Sequence, residues 1–459
     1  MHRGTVSSLA LIQPATHSSG IKCCGGLPYG INIDTGEVEL IDPYRWKAHG
    51  HIGAPIALTL AKINGGKTSL AKKLAITTGQ LKSGKGRVRV GLDDHRRNSG
   101  ELEYAQFAHY ARATPLSLSS NPINILDPKM KMSVSANMRM LINTQQYLRS
   151  MQLDPESVMY LQVALNMMHD LYSNDMSLEL LQLFLRTQEV GDVDIYIDRH
   201  RKRILEQLRL SKIERQIYNP EESLWKVDLE ARLKSRGSRS DIDPRAHKKA
   251  VLDLIYTFER LLPGGDFGGT FGGTYSLANH MRQRVVSFDY TGLNPNSVGL
   301  VQAIMWQWKG AAHERADTDL AFQCEVHDEN HKLWQNIEYA RAMSAYMKLI
   351  RSTSAFLILN SHRSGDYEAI AGDQGLLAQN ALNEAEVLFL GGQPPNVARA
   401  IGQRFDLPRK VTDRLSTLDT GEFCLKVGDR FPIFVRLRLT PRELQICESN
   451  QANYKMLEG

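Results

Sequence analysis

One stretch decides the fold of this chain: Leu58-Thr59-Leu60-Ala61-Lys62-Ile63-Asn64-Gly65-Gly66-Lys67-Thr68-Ser69. An apolar run at 56–60 leads into it, and a helix-forming run at 69–75 follows it. The pattern is that of a phosphate-binding loop, G-x-x-x-x-G-K-[ST], with its first glycine replaced by Ala61. Alanine is the smallest residue that carries a Cβ, so we expect this replacement to do little harm.

A strand, a loop and a helix in this order predict a site for a nucleoside triphosphate. Backbone N–H groups of the loop and the helix N-terminus converge on the phosphate. We expect Lys67 to reach the terminal phosphates and Thr68 to hold a magnesium ion. The bare pattern also arises by chance, because glycine and lysine are common. The predicted nucleotide contacts are Ala61, Asn64, Gly65, Gly66, Lys67, Thr68 and Ser69.

Composition and charge limit the class of protein. A chain of 459 residues can form two or three domains, and its net charge of +6 permits nucleic-acid contact without arguing for it. The five cysteines form no C-x-x-C pair, which disfavours a disulfide or zinc framework. We find no apolar stretch of membrane-spanning length and no signal-peptide pattern. We therefore expect a cytoplasmic protein that can dock at the inner face of the cell membrane.

The hydrophobic pattern divides the chain into four parts. Residues 1–27 carry no clear element, and 28–132 form the first part of an α/β core that opens with a β-hairpin at 29–42. From 133 to 262 the apolar period changes from 2 to 3.6, which predicts an inserted all-α domain. Residues 263–459 resume the α/β pattern and contain a hairpin-like stretch at 422–439.

Hydrolysis needs an acidic group on the magnesium ion and a group that orients water. The best candidates are Asp328, at the end of the predicted strand 322–327, and Glu329 beside it. Asp328 would complete the magnesium shell, and Glu329 would polarise the attacking water. Asp289, which ends another apolar strand, is the alternative for magnesium. A plain helix-start pair favoured by the helix dipole would also account for Asp328 and Glu329.

The strand before Asp328 is unusually polar for a central parallel strand, because Gln323, Glu325 and His327 alternate with apolar residues. Either one face is wet, as at a subunit interface, or the strand lies nearer an edge. His327 and His331 are four residues apart, as in a zinc hydrolase helix. The zinc pattern H-E-x-x-H places glutamate directly after the first histidine, where this chain has aspartate, so the zinc interpretation is the weaker one.

Further polar residues follow the later strands. His362 comes after the predicted strand 355–359, where it could sense the γ-phosphate. Arg399 and Arg404 lie on a predicted helix, from which an arginine could reach a neighbouring subunit's nucleotide. The basic run at 199–203 could touch DNA or acidic lipid. A solvated surface explains His362 about as well, and it is the more common explanation for the two arginines and for the basic run.

The order of these motifs resembles that of the P-loop ATPases of conjugation and type IV secretion, within the HerA/FtsK superfamily, in the shorter forms of actinobacterial conjugative elements. The similarity covers roughly residues 28–445. It rests on the loop and on the following motifs: Leu27-Pro28-Tyr29-Gly30-Ile31, Gly100-Glu101-Leu102-Glu103-Tyr104, Ile123-Asn124-Ile125-Leu126-Asp127, Asp328-Glu329 with His331 and Leu333, Ser361-His362-Arg363 with Asp366, Gly392-Gln393-Pro394-Pro395 and Thr440-Pro441-Arg442-Glu443.

The resemblance implies a RecA-like core with a helical insertion. It also implies a homohexamer that hydrolyses ATP with Mg²⁺ to drive DNA or protein transfer through membrane-embedded channel proteins. The phosphate roles would fall to Lys67 and its neighbours in the loop, the magnesium role to Thr68 and Asp328, and the water role to Glu329. Two alternatives remain: a soluble DNA translocase, and a nucleotide-binding structural subunit with little turnover.

Overall fold

The computed structural model describes most of the chain outside its two ends and part of the predicted helical insertion. The described residues are 25–83, 86–95, 97–98, 101–149, 153–172, 174–187, 244–294, 298–306, 322–328, 334–351, 354–362 and 365–447. Glu329, His331 and the basic run at 199–203 lie outside these ranges.

Fourteen strands are defined in these ranges. They are β1 (Leu27–Asn32), β2 (Val38–Ile41), β3 (Ile56–Leu60), β4 (Lys82–Ser83), β5 (Gly86–Asp94), β6 (Arg97–Asn98), β7 (Glu101–Leu102), β8 (Leu116–Ser117), β9 (Val285–Asp289), β10 (Phe322–His327), β11 (Ala355–Ser361), β12 (Val387–Gly391), β13 (Glu422–Val427) and β14 (Ile433–Leu437).

The helices alternate with these strands. They are Pro43–Ala48, Lys67–Gly79, Ala105–Tyr110, Val134–Arg149, Pro155–Tyr172, Leu178–Thr187, Pro244–Glu259, Gly268–Phe271, Ala278–Met281, Ile337–Ile350, Gly365–Glu368, Gly372–Glu384, Pro395–Arg404, Arg409–Leu415 and Pro441–Cys447, with a 3₁₀ turn at Pro128–Met130. Residues 298–306 are also helical.

One large sheet organises the strands in the order β2-β1-β14-β13-β12-β3-β11-β10-β5-β9-β8. The seven strands from β12 to β8 pair in parallel, whereas β13, β14, β1 and β2 extend one edge as antiparallel pairs. The predicted α/β class, with a mostly parallel sheet flanked by helices, is therefore confirmed. Both predicted hairpins are present, as β1–β2 and β13–β14.

The loop strand and the loop helix are both built into the core. All five residues of β3 are buried, as its continuous apolar sequence requires of a central parallel strand. The helix Lys67–Gly79 packs its leucines on one face of the sheet, where Leu70 and Leu74 join an apolar cluster with Val90, Cys324 and Val326. The buried strand and helix hold the intervening loop between two fixed ends.

The chain forms two compact units, residues 1–119 with 279–303 and 316–459, and residues 120–278 with 304–315. In the second unit, the helices Val134–Arg149, Pro155–Tyr172, Leu178–Thr187 and Pro244–Glu259 pack on one another. Asp154 caps one of these helices by accepting the Ser157 N–H at 2.8 Å, with proline at the first helical position as the sequence predicts. The domain boundaries at 132 and 263 stay predictions.

The polar strand β10 lies in the interior of the sheet. It pairs in parallel with β11 on one side and β5 on the other. Gln323, Glu325 and His327 are 4%, 3% and 0% exposed. Our expectation of a wet face or an edge position was therefore wrong, because the polar side chains are buried together on one face of the central sheet.

Candidate nucleotide-binding site

The loop adopts the backbone conformation that a phosphate cradle requires. Asn64 and Gly66 have left-handed φ angles of 60° and 88°, and Gly66 caps the helix that begins at Lys67. A Cβ on Gly65 would lie 2.9 Å from the Lys62 carbonyl oxygen, so glycine is needed there. The first N–H groups of the helix are thus left free of intrahelical partners at the open end of the loop.

The replacement of the first loop glycine by Ala61 is matched by a glycine on the adjacent strand. Ala61 is fully buried, and its φ is not in the left-handed region. A Cβ added to Gly391, at the end of β12, would lie only 2.6 Å from the Ala61 Cβ. Gly391 therefore leaves the space that the Ala61 methyl group occupies.

Lys67 is held inside the loop. Its side-chain nitrogen Nζ donates to the carbonyl oxygens of Ala61 at 3.0 Å and Lys62 at 3.1 Å. The same nitrogen lies 3.0 Å from Nδ1 of His362. An ammonium group only donates, so Nδ1 of His362 accepts this hydrogen bond. The sequence-predicted residues Lys67 and His362 are thus in direct contact.

Thr68 and Asp328, the two predicted magnesium ligands, are also in contact. The Thr68 hydroxyl donates to Oδ2 of Asp328 at 2.9 Å, and the Tyr104 hydroxyl lies 3.4 Å from the same oxygen. Asp328 directly follows β10, which is separated from the loop strand β3 by β11. A hydroxyl and a carboxylate in contact are oxygen ligands of the kind that Mg²⁺ binds in P-loop proteins. The residues present therefore fit the magnesium site.

Asp289 is placed differently. It ends β9, which is separated from β10 by β5. Its Oδ1 accepts both the N–H and the hydroxyl of Thr291, at 2.8 and 2.6 Å. Of the two candidate magnesium ligands, Asp328 is the one in contact with Thr68. Glu329 lies outside the described residues.

The tip of β11 and the Gly-Gln-Pro-Pro segment support this end of the site. The side-chain amide of Gln393 donates to the His362 carbonyl at 3.1 Å, and that of Asn360 approaches the Lys67 carbonyl at 3.5 Å. Both amides are buried. The strand end, the loop lysine and the segment after β12 are therefore joined by hydrogen bonds.

Our sequence reasoning missed a network on the other side of Asp328. Tyr104 donates its N–H to Asp94 at 3.0 Å, and Lys72 lies 3.8 Å from Glu103. Burial raises the pKa of Asp94 to about 8, although the hydrogen bond from Tyr104 opposes the shift. Two residues of this network, Glu103 and Tyr104, belong to the motif Gly100-Glu101-Leu102-Glu103-Tyr104, to which we had no reason in the sequence to assign a role.

The two candidate arginines lie in different environments. Arg399 is exposed and donates only locally, to the Pro395 carbonyl at 3.3 Å in the described contacts. Arg404 forms an ion pair with Glu368 at 3.2 Å and donates to the Gln379 carbonyl at 3.1 Å. Arg399 is therefore the better placed of the two to reach another molecule.

The C-terminal helix Pro441–Cys447 packs on the loop helix. Lys73 forms an ion pair with Glu443 at 2.6 Å. The hydroxyl of Ser69, a predicted nucleotide contact, donates to the Cys447 carbonyl at 3.0 Å. Ser69 thus faces the C-terminal helix here.

The chain resembles known proteins in structure but not in sequence. No family model matches the chain, and no curated protein matches it in sequence. Among solved structures, VirB4 of Thermoanaerobacter pseudethanolicus is similar with a TM-score of 0.58 and 17% identity, over 93% of this chain and 100% of that one.

The plasmid coupling protein TrwB is also matched. Its complex with ADP and Mg²⁺ gives a TM-score of 0.42 at 11% identity, over 85% of this chain and 87% of that one. Among the described residues, no helix is both long and apolar enough to cross a membrane. The chain has the RecA-like α/β fold of VirB4, which is the fold that its sequence predicts.

Proposed function

We propose that the chain is an ATP-hydrolysing motor that powers DNA or protein transfer in a conjugative or type IV secretion apparatus. One observation carries the proposal: Thr68 contacts Asp328 at 2.9 Å while Lys67 is buried in the adjoining loop. This contact and the burial of Lys67 support a magnesium site beside a phosphate site. The shared fold with VirB4 supports the assignment to a secretion apparatus.

In this proposal the loop N–H groups and Lys67 bind the triphosphate of ATP. Ala61, Asn64, Gly65 and Gly66 shape the loop. Thr68 and Asp328 hold Mg²⁺, which would neutralise charge on the β- and γ-phosphates. Glu329, one residue after Asp328, polarises the attacking water.

The hydrogen bonds of His362 change when ATP binds in the site. Lys67 now donates to two loop carbonyls and to His362. A γ-phosphate offers stronger, charged acceptors, so it draws Nζ away from these three groups. His362 is then released to contact the phosphate itself, and Gln393, bonded to its carbonyl, carries the change to the segment after β12.

Assembly completes the site. We propose a homohexamer in which Arg399 reaches the nucleotide of a neighbouring subunit and stabilises charge in the transition state. Arg404 would first have to leave Glu368 and the Gln379 carbonyl, which makes it the second candidate. The motor would work in the cytoplasm, docked peripherally on membrane-embedded channel proteins, with DNA as a further partner.

Nucleotide binding gives the direct test of the site. Titration of a fluorescent ATP analogue with Mg²⁺ should show binding to the wild type, and Thr68→Ala should weaken it in the presence of Mg²⁺ far more than in EDTA. Thr417→Ala is the matched control, because this exposed threonine lies in the turn after the helix Arg409–Leu415 and donates to the Arg414 carbonyl. Equal magnesium dependence in wild type and Thr68→Ala would contradict the proposal.

The two alternatives give different results in solution. A DNA translocase would hydrolyse ATP faster when DNA is added without any channel protein. A structural subunit would bind ATP tightly and release no phosphate. The transfer motor should hydrolyse ATP slowly by itself and faster once assembled. Glu329→Gln should stop hydrolysis while ATP stays bound.

A further inference from the structure

The buried polar face of β10 is matched, residue by residue, on the neighbouring strand β5. Gln323 pairs with Arg89, Glu325 with Gly91, and His327 with Asp93. The proposed nucleotide site uses none of these side chains, although they lie in the middle of the sheet. A row of charged groups here needs compensation, because burying an isolated charge is costly.

Glycine at position 91 makes room for a carboxylate. A Cβ added to Gly91 would collide with both carboxylate oxygens of Glu325. The Glu325 side chain therefore lies flat across β5, toward Asp93. Arg89 is 3% exposed, and burial lowers the pKa of its guanidinium, a shift that the charge of Glu325 opposes. The strand pair thus combines two buried carboxylates with one buried guanidinium.

Gln302, on the helix at 298–306, points its side chain into this cluster. Its amide nitrogen lies 3.0 Å from Nδ1 of His327, 3.2 Å from Oδ2 of Asp93 and 3.3 Å from Nε2 of His95. The side chain is 0% exposed, and its amide oxygen has no hydrogen-bond partner. Rotating the amide by 180° would place that oxygen where the nitrogen now lies. The oxygen could then bind a metal ion beside His327 and Asp93.

The spacing of these atoms is that of ligands around one metal ion. Ligand atoms from Asp93, Glu325 and His327 all lie within 4.8 Å of one another. Nδ1 of His327 is 3.5 Å from Oδ2 of Asp93. Tetrahedral ligands at the usual zinc–nitrogen and zinc–oxygen distances are about 3.4 Å apart. The pair therefore already has the separation that a shared zinc ion would impose.

We propose that this face of the sheet binds one Zn²⁺ ion through four side chains: Asp93, Glu325, His327 and, after its amide turns, Gln302. Asp93 and Glu325 supply negative charge to the ion, and a neutral imidazole and an amide complete four ligands. The site differs from the H-E-x-x-H pattern because it uses neither His331 nor a helical pair. It would brace the two strands that end beside Asp328.

Metal analysis of the full-length, tag-free chain tests this. Protein made in Zn²⁺-supplemented medium and desalted should retain about one zinc ion per chain. Glu325→Met and His327→Leu, whose side chains offer the ion no oxygen or nitrogen ligand, should each lose most of it while keeping the wild-type circular dichroism. Asp328→Asn, which alters the proposed magnesium site, and Cys23→Ser/Cys24→Ser, which removes two thiols, should keep it.

Three results would overturn the proposal: a wild type without zinc, zinc retained by both apolar variants, or zinc lost from the cysteine variant. If the apolar variants do not fold, Co²⁺-substituted wild type decides. Visible d–d bands as intense as those of four-coordinate Co²⁺, without thiolate-to-cobalt absorption, support the site. Intense thiolate-to-cobalt absorption, or failure to take up Co²⁺, rules it out.

Discussion

Replacing Gly391 with alanine adds one methyl group behind the phosphate loop, where the structure leaves no room for it. The new Cβ would lie 2.6 Å from the Cβ of Ala61 and 3.2 Å from the ring of Phe423. All three residues are buried. Backbone must move to relieve the first contact, because neither methyl group can rotate away.

The structure also sets the size of the effect. Overpacking of a close-packed interior costs about 1–3 kcal/mol. Ala61→Gly removes the methyl group that causes the closest contact, at a cost of about 1 kcal/mol from added chain freedom. Because the two residues touch, their effects should not add, and we expect a coupling energy of about 1–2 kcal/mol in the double variant.

Urea unfolding of wild type, Gly391→Ala, Ala61→Gly and the double variant measures this coupling. The double variant should be more stable than the sum of the two single changes predicts. A matched control pairs Ala61→Gly with Gly269→Ala, where an added Cβ meets nothing within 4 Å and φ is not left-handed. If Ala61→Gly rescues neither variant, or both equally, the packing explanation for Ala61 is refuted.

Three further predictions concern the arginines and the thiols. Arg404→Ala should lower the free energy of unfolding by about 1–2 kcal/mol in urea, because its contacts with Glu368 and a backbone carbonyl are lost. Arg399→Ala should change stability by less than about 0.5 kcal/mol, yet it should reduce ATP hydrolysis by the assembled protein; unchanged hydrolysis would remove Arg399 from the site. Burial raises the pKa of three thiols, Cys324, Cys424 and Cys447, to about 12. In a Cys23→Ser/Cys24→Ser background, iodoacetamide at pH 8 should therefore leave these thiols unlabelled in the folded chain. Mass spectrometry should show full labelling in urea.

Patterns of apolar and polar residues predicted the fold well where they depend directly on which side chains are buried. The apolar run before the loop became β3, and the alternating stretches became the two hairpins. Each of these signals depends on neighbours in sequence. The strand order, which brings Asp328 beside Thr68 across 260 positions, depends on long-range pairing that only the motif order suggested.

The polar strand β10 shows where local reasoning failed. We expected a wet face or an edge position for Gln323, Glu325 and His327, because polar residues usually face water. Their partners Arg89, Gly91 and Asp93 come from a strand more than 200 residues earlier. A single strand cannot reveal that its polar face is covered by complementary groups elsewhere in the chain.

Ala61 and Ser69 give the same lesson at smaller scale. The space for the Ala61 methyl group is supplied by Gly391, and the partner of the Ser69 hydroxyl is the Cys447 carbonyl. Both partners lie more than 300 residues away. The loop motif could therefore name the contacts to a phosphate but not the contacts to the rest of the protein.

Steady-state ATP hydrolysis by three matched proteins tests the central claim most directly. We expect the wild type to release phosphate, Lys67→Ala to lose this activity with weakened ATP binding, and Glu329→Gln to lose it while still binding ATP. The two variants separate binding from the water-activating step. Equal rates in all three proteins would contradict the assignment of this chain as an ATP-hydrolysing motor.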